Sequence, residues 1–189
     1  MSKVLGIVGS PRKNGNTHAL VPRMLEGAAA EGAQTELVVL NELTIKECDG
    51  CHVCWMGKPC SKRDDMNALY ERINQADALV LGTPVYWYAP TALMKGLVDR
   101  FVYYNCEHNR QYVQKKPVLL TVPYEETDEA TVAPVVQFFE KSLSYLGMSL
   151  KDRLTVGGLE KKGAVTACAD VMEQAYLQGK QLVTAYKNE

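Results

Sequence analysis

Val4-Leu5-Gly6-Ile7-Val8-Gly9-Ser10-Pro11-Arg12-Lys13-Asn14-Gly15-Asn16-Thr17 is an apolar run that stops in a small, polar turn. The run carries no charge, as expected of a parallel strand buried on both faces. Beyond Thr17, the residues Leu20, Val21, Met24 and Ala28 recur at helical spacing. A strand that feeds a helix through such a turn presents unpaired backbone N–H groups at the helix start, where the macrodipole also favours an anion. Ser10, Arg12, Asn16 and Thr17 add side-chain donors, and Gly9 and Gly15 let the backbone come close. The turn reads as a monophosphate cradle. The plain alternative is a surface loop, since Gly, Asn and Pro punctuate loops generally.

Two other phosphate motifs do not fit. A Walker loop ends in Gly-Lys-Ser/Thr, but Gly15 is followed by Asn16, and no Gly-x-Gly-x-x-Gly follows this strand. Flavin mononucleotide (FMN) or a similar single phosphate is what remains.

Outward from this stretch, strand-like and helix-like patterns alternate. Strands are expected at Lys3–Val8, Thr35–Leu40, Asp77–Gly82, Lys116–Val122 and Leu154–Val156. Helices are expected from Thr17 to Glu31, from about Met66 to Ala76, from Thr91 to Tyr104, from a start at Thr127, and from about Ala164. Pro22 falls inside the first of these, where it forfeits the bond to the carbonyl of His18 and predicts a distorted first turn. Five strands alternating with helices imply an α/β, doubly wound sandwich: a five-stranded parallel sheet of flavodoxin-like order 2-1-3-4-5 with helices on both faces. Residues 1–189 read as one domain, with a cysteine-rich insertion at about 44–64.

In such a sheet every strand-to-helix loop leaves the carboxyl edge. The loops 10–17, 41–65, 83–90 and 123–127 therefore converge on one rim. Pro84, Val85, Tyr86 and Trp87, with Tyr88 and Pro90, bring flat apolar surface and stiff backbone beside the cradle, which suits a planar ring such as an isoalloxazine. Trp87 and Tyr88 serve equally well as core or interface aromatics. Tyr124, on the rim loop after the fourth strand, joins the candidate cofactor residues.

With 189 residues, 47% hydrophobic and 23% charged, the composition is that of an ordinary globular protein. Its formal net charge is −1, and the absence of a Lys/Arg block argues against a nucleic-acid or anionic-membrane partner. With no secretory pattern or membrane-length apolar run, the expected location is cytoplasmic. Thiols stay reduced there, so six cysteines point to metal or redox chemistry before disulfides. Cys106 and Cys168 stand on helical patterns as small apolar residues. Cys48, Cys51, Cys54 and Cys60 do not: they lie within thirteen residues as C-x2-C-x2-C-x5-C.

The chain resembles the NADPH-dependent FMN reductase superfamily of flavodoxin-like proteins. The likeness rests on Gly9-Ser10-Pro11-Arg12-Lys13-Asn14-Gly15-Asn16-Thr17, on Gly82-Thr83-Pro84-Val85-Tyr86, and on Met94-Lys95-Gly96-Leu97-Val98-Asp99-Arg100. It implies FMN phosphate binding by Ser10, Arg12, Asn16 and Thr17, with Pro84, Val85, Tyr86 and Trp87 along the ring and ribityl. Lys95, Asp99 and Arg100 then hold the helix and a subunit contact. Within the superfamily, the cysteine spacing is similar to that of the iron–sulfur flavoproteins. That likeness implies a [4Fe–4S] cluster on Cys48, Cys51, Cys54 and Cys60, although empty thiols and tetrahedral zinc remain open. The loop Pro123-Tyr124-Glu125-Glu126-Thr127 departs from the family, standing where a glycine-rich flavin-ring loop is usual.

No Ser/His/Asp set or carboxylate pair organises a hydrolytic site, so chemistry falls to the cofactor. With a cluster, the expectation is an electron-transfer flavoprotein working between a donor such as ferredoxin and a small-molecule acceptor. Without one, it is a NAD(P)H-dependent FMN or quinone reductase. A third reading is a non-catalytic FMN-binding redox sensor. The resemblance also implies a homodimer or homotetramer, for which the apolar Leu97–Tyr104 stretch is a candidate surface, the alternative being that the same residues are core.

Overall fold

The structure is a computed structural model in which residues 1–187 are described. Its main sheet runs β2 (Gln34–Val39), β1 (Lys3–Val8), β3 (Ala78–Gly82), β6 (Pro117–Pro123) and β7 (Ser149–Val156), all neighbours parallel. This is the expected 2-1-3-4-5 order, with a small antiparallel hairpin, β4 (Val85–Tyr86) and β5 (Ala89–Pro90), standing outside it. The helices are α1 (Asn16–Ala30), α2 (Met66–Gln75), α3 (Ala92–Asp99), the short α4 (Glu107–Arg110), α5 (Ala133–Tyr145) and α6 (Ala169–Lys187). None of the described helices is long and apolar enough to cross a membrane.

Alternation along β1 divides the core. Leu5 and Ile7 pack with residues of α2, α3 and α5 on one face. Val4 and Val8 pack with Leu20, Val21 and Met24 of α1 and with Ala175, Leu182 and Val183 of α6 on the other. β1 and β3 are wholly or nearly wholly buried, which explains why they read as continuous apolar runs. Gly82, at the end of β3, lets α1 lie close: a Cβ there would sit 2.4 Å from Val21 Cγ2 and 2.8 Å from Thr17 Cγ2.

The structure revises several boundaries. α1 runs unbroken through Pro22, so the expected distortion does not interrupt it. The segment 91–104 is α3 followed by a 3-10 turn over Arg100–Tyr104. Asp128 caps only a 3-10 turn over Glu129–Thr131, its side chain accepting the Ala130 N–H; α5 begins later, where Pro134 occupies the first turn without losing a helical bond. Ala164–Ala167 is likewise a 3-10 turn ahead of α6. β7 extends five residues further toward the N-terminus than Leu154–Val156.

Candidate functional site

The turn after β1 is built as a cradle. The Gly9 N–H donates to Gly82 O at 2.7 Å, and the Thr91 hydroxyl donates to Gly9 O while its oxygen accepts the Met94 N–H as the cap of α3. Thr91 N–H in turn reaches Thr83 Oγ1 at 3.2 Å. The ends of β1 and β3 and the start of α3 are thus tied into one rigid rim. Ser10 Oγ accepts the Arg12 N–H, and Gly15 N–H closes on Arg12 O at 3.0 Å, which folds the loop against the start of α1. No side chain caps that 15-residue helix and no acid stands in its first turn, so its positive end faces the loop unneutralised.

Ser10, Arg12, Gly15, Asn16, Thr17, Pro84, Val85, Tyr86 and Tyr124 line one cleft of about 80 Å3, together with Leu159 and Lys162. The enclosed space is that of a few water molecules, the size of a phosphate group, while the remainder of any larger ligand would lie along the open rim. Eight of the nine residues expected to hold the cofactor are therefore brought together. The ninth, Trp87, is not among the cleft-lining residues: it stands 94% exposed at the tip of the β4–β5 hairpin. Trp87 and Tyr88 form that two-residue turn at φ of 52° and 61°, a backbone usually given to Asn-Gly.

Asn16 lies in the cleft wall, with its amide engaged elsewhere. Its Nδ2 donates to Leu159 O at 3.4 Å and Lys161 O at 3.3 Å, and its Oδ1 accepts the Val165 N–H at 3.1 Å. Asn16 is thus a clamp on the loop after β7. That clamp delivers Lys162, a cation the sequence reading missed because its loop is far away in the chain and carries no motif.

The cysteines form a second site. Cys48, Cys51, Cys54 and Cys60 all line a pocket walled by Tyr70, Arg100 and Tyr103. Among the described residues no three ligand side chains are already gathered as around a metal ion. The donor set, four thiols around one small pocket, fits a cluster or zinc. Its loop is held at many points. Asp49 and Lys62 pair across it at 2.7 Å, Trp55 Nε1 donates to Val102 O at 2.8 Å, and His52 stacks on Trp55 with centroids 3.9 Å apart. Burial first, and then the neighbouring Cys60, push the Cys54 thiol up to about 11. Without a ligand it stays protonated at neutral pH, and metal binding would have to displace that proton.

Arg100 lies at the centre of this wall. It pairs with Asp64 at 2.6 Å, the two side chains being 1% and 0% exposed, and reaches Cys60 Sγ at 3.3 Å. Burial works to raise the Asp64 carboxyl, but the hydrogen bonds from Arg100 and from Lys46 N–H outweigh it and hold the group below the ordinary carboxylate value. The sequence reading gave Arg100 a helix and subunit role; here it faces the cysteines.

Residues 2–147 match the family described as NADPH-dependent FMN reductase. An iron-sulfur flavoprotein of Methanocaldococcus jannaschii is 40% identical over 98 residues, 52% of this chain and 51% of that protein. One of Archaeoglobus fulgidus is 41% identical over 52% of this chain and 48% of its own. The chain spans about half the length of these curated relatives. A putative NAD(P)H-dependent FMN-containing oxidoreductase of Bacillus subtilis is 25% identical over 79% of this chain and 81% of its own. Among solved structures, a NAD(P)H:quinone oxidoreductase from Methanothermobacter marburgensis shares the fold, with a TM-score of 0.73 at 18% identity, over 96% of this chain and 98% of that one.

Proposed function

Because the chain belongs to the NADPH-dependent FMN reductase family, we propose that it is a flavin-dependent oxidoreductase that transfers electrons between a donor such as ferredoxin and a small-molecule acceptor. FMN is held by the cleft at Ser10–Thr17, and a [4Fe–4S] cluster by Cys48, Cys51, Cys54 and Cys60. The observation that carries the reading is that all four thiols of the C-x2-C-x2-C-x5-C run line one pocket.

A bound flavin accepts two electrons as hydride and releases them singly, and a cluster carries them singly. The chain itself binds and orients. The uncapped start of α1, Arg12 and Lys162 bring positive charge to the cleft, opposed by the Glu125 carboxylate on the same wall, and the hydroxyls of Ser10 and Thr17 lie beside it. Pro84, Val85, Tyr86 and Tyr124 give an apolar flank for a ring, held in place by Thr83 and Thr91. Trp55 and Asn109 fix the cysteine loop against the turn after α3 and against α4.

The same reading includes a homodimer or homotetramer. Leu97, Phe101 and Tyr104 prove to be core. A surface available for association is a groove of about 420 Å3 whose apolar lining includes Val98, Val102, Phe138 and Tyr145, beside Asp99 and Lys141.

A second reading, a NAD(P)H-dependent FMN or quinone reductase without a cluster, is supported by the likeness to the putative NAD(P)H-dependent FMN-containing oxidoreductase of Bacillus subtilis, which runs over 79% of this chain. Anaerobically purified protein separates the two. The expected result is FMN, about four irons with matching sulfide per chain, and turnover with reduced ferredoxin. FMN without iron, with turnover by NAD(P)H, would replace the first reading by the second. FMN with turnover by neither donor would leave a sensor.

A further inference from the structure

Arg100 makes more contacts than a helix-anchoring residue needs. Two of its guanidinium nitrogens meet Asp64, at 2.6 and 3.2 Å, and that pairing alone balances the buried charge. The remaining contacts run to the cysteine loop: to Lys46 O at 2.9 Å and to Cys60 Sγ at 3.3 Å. Lys46 lies two residues before Cys48 and Asp64 four after Cys60, so one side chain closes both ends of the cysteine run. Its own backbone is fixed independently, Tyr70 Oη donating to Arg100 O at 2.8 Å. Tyr70 and Tyr103 wall the pocket beside it.

We propose that Arg100 is a positioning residue for the cluster: its N–H to Cys60 sulfur holds that ligand and makes one-electron reduction of the cluster easier. The proposal rests on the cluster reading above. Reduction adds one electron and one negative charge to the thiolate-ligated centre, with no bond made or broken. An N–H···S bond stabilises that added charge more than it stabilises the oxidised form. Water would compete for such a bond at the surface; a guanidinium 1% exposed meets almost none. Lysine cannot replace it, because an ammonium lacks the planar fork needed to reach Asp64, Lys46 O and Cys60 together.

Two variants test this. Arg100→Lys keeps the charge and its pairing with Asp64 but loses the contact to sulfur. Arg100→Met with Asp64→Leu removes both buried charges, so that neither is left unpaired if the single variant fails to fold. The measurements are FMN content and thermal unfolding as folding controls, iron and sulfide per chain after anaerobic reconstitution, and the cluster midpoint potential by EPR-monitored titration with dithionite.

Both variants are expected to keep FMN, and the reduction equilibrium is expected to shift about tenfold against the reduced form, which is about 59 mV lower for a one-electron couple. Loss of iron from Arg100→Lys, with FMN and unfolding temperature retained and iron kept in a Tyr70→Phe control, also supports the role in holding Cys60. Full iron with an unchanged potential in both variants overturns the proposal alone. Wild-type protein that holds FMN and takes up no iron overturns the cluster reading, and the proposal with it.

Discussion

At the scale of single residues, Asn16 decides which residues line the cleft after β1. Its amide spends its hydrogen bonds on Leu159 O, Lys161 O and Val165 N–H, and the loop it grips places Lys162 on the cleft wall. Arg12 and Lys162 then approach the start of α1 from two different loops. Lys162→Ala is expected to weaken FMN binding roughly tenfold through the loss of one charge-assisted contact, and Arg12→Ala with Thr17→Ala by a few kcal/mol together. Riboflavin, which has no phosphate, should bind all of these variants about equally. Fluorescence titration with both ligands checks this. Equal loss for riboflavin would mean the variants disturb the fold, and a wild type that prefers riboflavin would mean the cleft does not hold phosphate. Ser10, Arg12 and Thr17 were legible in the sequence because they sit in one turn after one strand. Lys162 was not, because its place depends on a contact between positions 16 and 161 that no local pattern announces.

At the scale of elements, α1 and α6 approach closely at two glycines. A Cβ on Gly27 would stand 1.9 Å from Tyr176 O, and one on Gly179 would stand 1.9 Å from Met24 O, so the helices meet backbone to backbone. Gly27→Ala is therefore expected to lose about 1–3 kcal/mol of stability through overpacking. Gly96, inside α3 with nothing within 4 Å of an added Cβ, is the contrast. Gly96→Ala is expected to gain up to ~1 kcal/mol from helix propensity. Urea unfolding of the pair measures both, and a neutral Gly27→Ala would show that the two helices can separate without cost. The elements legible in the sequence were those whose environment is uniform, such as β1 and β3, apolar because both faces are covered. The N-terminal part of β7 carries no apolar run because Lys151, Asp152 and Arg153 on this edge strand are exposed. The β4–β5 hairpin was missed because Trp87 and Tyr88 adopt a left-handed backbone that bulky residues rarely signal.

At the scale of the whole molecule, α3 separates two sites while joining them. Its first turn is capped by Thr91, which holds Gly9 and the loop after β1, and the residue after its last turn is Arg100, which holds the cysteine loop. Eight helical residues span about 12 Å, and the cleft and the cysteine pocket have no lining residue in common. Two sites built from different residues at opposite ends of one element should respond to mutation separately, within about 0.5 kcal/mol, or roughly twofold in affinity. Cys51→Ser is the sharpest probe, because Cys51 is exposed and its sulfur meets polar neighbours, Ser61 Oγ at 3.2 Å and the Asp49 carboxylate, that a serine hydroxyl can also meet, so the change leaves the packing intact. The variant is expected to lose most of its iron while FMN affinity stays within twofold of wild type. Electron delivery from reduced ferredoxin should fall with the iron, while chemical reduction of the flavin by dithionite proceeds as before. Iron analysis, FMN titration and stopped-flow reduction of one preparation give all three values. Full iron in Cys51→Ser would remove that thiol from the ligand set, and a joint loss of iron and FMN would show that α3 couples the sites it separates.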